Sequence, residues 1–201
     1  MIKLRKINKG LILTIIVILA LVIYLVGVEK QREADKQEIK NACEEFLKFR
    51  DKYTVLPEQE QTVTTLISEQ VKEQAEKELK QELEKQMINN NEAIEIQYDY
   101  LLSTLQKGYE NENIKSKCKR TIDKITEYEF DGNQVTVRFN STEELTYKYI
   151  DQETGKEMEN QEKNNYIGNE IILQKVDKQW KIVYSTLIES DSLQFVDTIM
   201  R

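Results

Sequence analysis

The chain has 201 residues, with 29 basic and 36 acidic side chains for a formal charge of −7, two cysteines, one proline and no histidine. The missing histidine excludes Ser-His-Asp and Cys-His catalysis and any histidine-ligated metal, and two cysteines cannot form a four-cysteine zinc site. The acidic balance argues against a nucleic-acid binder that works through a broad basic face.

Read along the chain, the charge splits. Lys3, Arg5, Lys6 and Lys9 give residues 1–28 a charge of +4 and leave −11 on residues 29–201. Leu11 to Val28 is an uninterrupted run of 18 uncharged residues, roughly 27 Å long as a helix against a hydrocarbon core of roughly 30 Å. The exit, Leu25-Val26-Gly27-Val28-Glu29-Lys30, carries no small-x-small cleavage pattern, and no cysteine follows it. The run therefore reads as a single-pass signal anchor in membrane lipid. The basic end, residues 1–10, is expected in the cytoplasm and the rest outside the cell membrane.

Residues 29–35 form a juxtamembrane link, and 36–201 an extracytoplasmic domain with helices in 36–108, a sheet in 120–187 and a closing helix over 190–200. In the first helix Ile39, Ala42, Cys43, Phe46, Leu47, Phe49 and Tyr53 recur at helical spacing. After Pro57 a Glu/Gln/Lys-rich helix runs to about Ile88, with Ile67, Val71, Ala75, Leu79, Leu83 and Met87 falling every fourth residue. A four-residue step drifts around a helix, which disfavours a long zipper. Leu79, Leu83 and Met87 are candidates for a partner interface, with a solvated helix lying on the sheet as the alternative. Asn89 to Asn91 break the chain, and a third helix over 92–107 should bury Ile94, Tyr98, Leu101, Leu102 and Leu105 before Gly108.

After a polar link, Asn111 to Lys119, the period becomes two. Thr126, Tyr128 and Phe130 alternate up to the turn Asp131-Gly132-Asn133, and Val135, Val137 and Phe139 return from it. Leu145, Tyr147 and Tyr149 repeat the alternation before a turn at Glu153-Thr154-Gly155-Lys156. A polar segment to about Asn165 is the weakest strand. A last hairpin folds 170–176 onto 180–186 across Asp177-Lys178, placing Trp180, Ile182 and Tyr184 on one face. Helices followed by an antiparallel meander give an α+β class, with helices packed on a curved sheet.

This order resembles the nuclear transport factor 2-like superfamily, in which N-terminal helices fold into the concave face of a bent antiparallel sheet to make a cone. The closing hairpin Ile171-Ile172-Leu173-Gln174-Lys175-Val176-Asp177-Lys178-Gln179-Trp180-Lys181-Ile182 is similar to that family's own. With an anchor before the domain, the arrangement resembles the bitopic scaffold proteins of conjugation and type IV secretion systems. The resemblance implies a non-enzymatic scaffold or assembly subunit of a bacterial envelope complex, with envelope protein partners, a homo-oligomer, no nucleic acid and no cofactor. The alternative is an anchored binding domain for a small apolar ligand or envelope polymer, with Tyr98, Tyr147, Tyr149, Trp180 and Tyr184 lining the cleft.

The superfamily's enzymes use an Asp-His pair, excluded here, or an isolated carboxyl with a tyrosine, for which Asp99 between Tyr98 and Tyr100 is the candidate. Cys43, on an apolar helix face, behaves as a small hydrophobe if free. Cys118 lies between Lys117 and Lys119, whose charges would lower its pKa. An extracytoplasmic location would also permit a Cys43–Cys118 disulfide.

Overall fold

A computed structural model of the chain describes residues 9–56, 69–110 and 114–187. The expected closing helix over 190–200, and the stretch from Pro57 to Ser68, lie outside the described residues. The chain divides into two compact units, Met1–Glu38 and Ile39–Arg201.

In the first unit the described residues are helical, and the helix continues through the juxtamembrane residues 29–35. Ile12 to Val26 present their large apolar side chains to the surroundings, 42–71 % exposed, and the segment is long and apolar enough to cross a membrane. Charged residues follow within a turn or two, and Gln31 Nε2 donates to Asp35 Oδ1 at 2.9 Å.

The second unit is the α+β domain expected. The helices are α1 (Lys9–Thr54, of which Ile39 onward belongs here), α2 (Glu69–Gln86) and α3 (Asn91–Glu110). The strands are β1 (Ile114–Asp131), β2 (Gln134–Ile150), β3 (Glu157–Val176) and β4 (Gln179–Thr186), in one antiparallel sheet ordered β1-β2-β3-β4.

Fewer and longer strands result than the alternation predicts. The segments around Val135 and Leu145 are one strand, and the polar stretch from Glu157 is the first half of β3. No glycine or proline interrupts Gln134–Ile150, so nothing forces a turn there. Residues 114–119, expected as linker, begin β1. Register shifts in β1, between Phe139 and Ser141 and between Ile172 and Leu173 bend the sheet. At the Phe139/Ser141 bulge, Gly168 takes φ +87°, a backbone that side chains with a Cβ rarely adopt. Asn169, fully buried, fills the gap by donating to Phe139 O at 3.3 Å and Ser141 Oγ at 3.1 Å. The two-residue hairpin at Asp177 and Lys178, with φ 49° and 67°, is the primed turn whose twist suits antiparallel strands.

Burial alternates along β2, with Val135, Val137 and Phe139 fully inside. They meet Ile39, Cys43, Phe46, Leu47, Phe49 and Tyr53 of α1, Leu79 and Leu83 of α2, and Ile171, Leu173 and Ile182 of the later strands in one core. Asn90 caps α3, its Oδ1 accepting from the Glu92 and Ala93 N–H groups at 3.1 and 3.4 Å. The interface expected at Leu79, Leu83 and Met87 is corrected: all three are 0 % exposed within the core. A four-residue step turns each side chain about 40° past the last, so three in succession stay within an apolar stripe about 100° wide.

Leu83→Ala should therefore destabilise the domain by about 3 kcal/mol, whereas truncating the exposed Ile96 to alanine should cost less than about 0.5 kcal/mol. Chemical denaturation of the full chain in detergent micelles measures both.

Candidate functional site

The sheet's inner face changes character along its length. The inward row of β2 runs Val135, Val137, Phe139, Ser141, Glu143, Leu145, and the residues after Phe139 admit polar groups. Around Glu143 four elements converge on a buried polar cluster. Arg120 Nη2 of β1 donates to Glu143 Oε1 at 2.6 Å, with only 4 % and 7 % of the two side chains exposed. Tyr166 Oη of β3 donates to Glu143 Oε2 at 2.9 Å, and the Arg120 guanidinium lies 4.9 Å from the Tyr166 ring centroid. From α1, Asp51 Oδ2 accepts the Arg120 backbone N–H at 2.8 Å, and the Cys118 thiol donates to Asp51 Oδ1 at 3.6 Å.

The cluster satisfies its own charges. A buried carboxylate and guanidinium are tolerated only when paired and hydrogen-bonded, and here each Glu143 oxygen has a donor. Burial is the main cause that raises the Asp51 carboxyl above its ordinary range, against the opposing pull of the Arg120 N–H and the Cys118 thiol. Cys118 is also raised, first by burial and then by the Asp51 and Glu143 carboxylates. The expected activation by Lys117 and Lys119 is thus corrected: those lysines are exposed on the opposite face of the strand, and acids face the thiol.

Both cysteines are free. Cys43 is in the core, its thiol pushed up to about 12 chiefly by burial. Cys118 rests against Asp51, eight residues beyond Cys43 on α1 and so about 12 Å along the axis. A disulfide requires Cα atoms within about 7 Å, which accounts for the missing bond.

The five residues expected to line one cleft are dispersed over four places. Tyr147 and Tyr149 border a shallow recess of about 330 Å³ with Asn160 and Glu162 on the β2–β3 hairpin. Tyr98 packs against the core with the Lys80 ammonium 5.6 Å from its ring centroid. Trp180 leans on the core beneath Lys175, and its buried Nε1 has no hydrogen-bond acceptor among the described residues. Tyr184 is 42 % exposed, because Val183 occupies the bulge between Ile172 and Leu173 and the alternation reverses after it. Ser185 points inward instead, donating to Gln97 Oε1 at 3.1 Å.

Tyr184 borders a further recess, about 220 Å³, with Arg50, Gln97, Tyr100 and Ser185. The Arg50 guanidinium, on a residue 5 % exposed, lies 5.1 Å from the Tyr100 ring centroid. Gln97 and Ser185 close its floor through their own hydrogen bonds. Asp99 is exposed on the far side of α3, so it lacks the apolar enclosure that a catalytic carboxyl of this kind requires. Among the described residues no group of His, Cys, Asp and Glu is placed to hold a metal ion.

No family model matches the chain, and neither does any curated protein. Among solved structures it is similar to a nuclear transport factor 2 (NTF2-like) superfamily protein from Salmonella enterica serovar Typhimurium, at 12 % identity over 79 % of this chain and 95 % of that one, with a TM-score of 0.44. It is also similar to a Xanthomonas campestris protein named for a calcium/calmodulin dependent protein kinase II association domain, at 19 % identity over 48 % of this chain and 57 % of that one, with a TM-score of 0.25. The class of the protein rests on its own architecture. It is an α+β domain of helices on a bent four-stranded antiparallel sheet, preceded by an apolar helical segment of membrane-spanning length.

Two outcomes follow from the cluster. Because the folded pKa of Asp51 is raised above the unfolded one, its protonated form favours the fold. That contribution is complete below the unfolded pKa and is lost as pH rises through the folded value. As pH rises from about 4, the ordinary Asp value, wild-type Tm should fall relative to Asp51→Asn, as paired thermal melts would show. Glu143→Ala removes the carboxylate that pairs with the buried Arg120 guanidinium and should cost about 3 kcal/mol or more, read from denaturation midpoints.

Proposed function

We propose that the chain is a membrane-anchored, non-enzymatic assembly subunit of a bacterial envelope complex, of the conjugation or type IV secretion kind, with its domain outside the cytoplasmic membrane. The observation that carries this reading is the exposed apolar segment from Ile12 to Val26 next to a domain whose helix–sheet interior is filled by Phe46, Leu79, Phe139 and Leu173. The first feature fits a lipid surface. The second leaves the outer surfaces, rather than an interior cavity, as the part of the domain that meets other molecules.

The basic residues before the apolar run support the orientation, since positive charge is retained in the cytoplasm. A binding domain for a small apolar ligand has less support. The recess near Arg50 is about 220 Å³, below the roughly 300 Å³ of an ordinary ligand pocket, and the larger recesses, about 330 Å³ beside Tyr147 and about 550 Å³ beside Lys117 and Lys163, are lined mostly by polar and charged side chains.

The full chain should remain with membranes after carbonate washing and lose that retention when Ile16 and Leu19 are both changed to lysine. Protease added to spheroplasts should digest the domain while sparing the anchor. With a photo-crosslinking residue at the exposed Ile96 or Met158, intact cells should yield adducts with subunits of a secretion or conjugation apparatus. Membrane retention without adducts at either position overturns the assembly role and leaves the anchor standing.

A further inference from the structure

Among the described residues the sheet has three stretches of strand edge, and two of them are met in part by other elements. The β1 edge meets α1, where Asp51 takes the Arg120 N–H and the Leu56 N–H reaches Lys115 O at 3.3 Å. The β4 edge meets the chain after α2, where Met87 bridges to Ile182 and the Ile88 N–H donates to Ile182 O at 2.8 Å. The third stretch lies on β3. That strand pairs with β2 from Glu157 to Gln174, but β4 covers it only from Glu170 onward. The outer edge of Glu157–Asn165 has no strand beside it among the described residues, and all but Asn164 of these nine residues are exposed.

An uncovered edge invites pairing with another strand, and proteins usually blunt it with proline, a bulge or repeated lysine. Glu157–Asn165 has no proline, no register shift and one lysine. Its sequence, Glu-Met-Glu-Asn-Gln-Glu-Lys-Asn-Asn, instead has a self-complementary register. Side chains directly opposite in an antiparallel pair share a face. Pairing with an identical edge about a two-fold axis places the central residue opposite itself.

Centred on Gln161, that arrangement sets Glu159 of each copy opposite Lys163 of the other. It sets Asn160 opposite Glu162 on the other face and brings no like charges together. Registers centred on Glu159, Glu162 or Lys163 place a charge against itself. Centring on Asn160 sets Met158 against Glu162. We propose that the β3 edge Glu157–Asn165 pairs antiparallel with the same edge of a second copy of this chain, in the register centred on Gln161.

The existing cross-strand pairs do not obstruct it. Lys163 Nζ reaches Glu144 at 3.1 Å and Lys148 Nζ reaches Glu157 at 3.5 Å from the β2 side, and every partner but Lys148 is more than two-fifths exposed. Cross-strand charge pairs contribute roughly 0.2–1 kcal/mol each, and like charges opposite one another oppose pairing. The contact deepens the assembly reading by naming one self-contact, and the test separates the two.

The full chain carrying Gln161→Cys is reconstituted in liposomes and oxidised gently. Buried Cys43 and half-buried Cys118, both with raised pKa, stay unreactive. A disulfide-linked dimer should form. Adding Lys163→Glu, which turns both attractive pairs repulsive, should slow crosslinking at least about tenfold. Adding Glu159→Lys to that variant should restore it, because the swapped charges are again complementary. Unfolding midpoints should move only slightly, because the one pair within the chain that these changes disturb, Lys163–Glu144, is exposed. A monomeric Gln161→Cys chain, a single reversal without effect, or a double swap without recovery overturns the pairing. Cellular adducts with apparatus subunits would still stand in that event, so loss of this contact and loss of the assembly role are read separately.

Discussion

The structure depends on the fit of one apolar helical stripe into the inner face of the sheet. From Ile39 to Tyr53, α1 sets Ile39, Cys43, Phe46, Leu47, Phe49 and Tyr53 against β2 and β3, and α2 and α3 close around them. Phe46 and Phe49 stack at 6.0 Å, and Phe49 meets Tyr53 edge-on at 5.2 Å. Buried aromatic pairs contribute beyond their area alone. The strands are longer than this stripe can cover, and where apolar cover runs out the inner face becomes polar. Ser141, Glu143, Arg120 and Tyr166 lie there, and the cluster is held by charge pairing instead of packing.

That division explains what was legible in the residues. Helical spacing identified the α1 stripe, and period two identified the strands around Val135, Leu173 and Ile182. Apolar alternation has only one vocabulary, however. When the inward row of β2 passed from Phe139 to Ser141 and Glu143, the pattern read as an end of strand although the backbone continued. An unbroken run without glycine or proline was the signal that β2 did not stop. The same blindness hid Arg120 and made 114–119 look like linker.

Other differences arise from geometry that spacing does not encode. A single extra residue at Val183 exchanged the faces of Tyr184 and Ser185. The Cys43–Cys118 pairing failed because Asp51, not Cys43, is the α1 residue abreast of the β1 thiol. The drifting stripe of α2 read as an interface because a four-residue step argues only against a long zipper. Over only two such steps it suits burial, which places Leu79, Leu83 and Met87 inside. Where local chemistry is strict, as in the Asp131-Gly132 turn, residues and structure agree.

The α1 stripe also orders events in time. Its cluster closes only when Ile171, Leu173 and Ile182 arrive, more than a hundred residues after Phe46. Contacts so distant in sequence form late and slowly. At a synthesis rate of roughly 5–20 residues per second, Phe46 and Leu47 spend several seconds without their final neighbours. During that interval the nascent chain exposes a sticky helix and unpaired strands together, the combination most prone to wrong association. Production of the domain is therefore sensitive to translation speed and to chaperones that shield the stripe until β4 is complete.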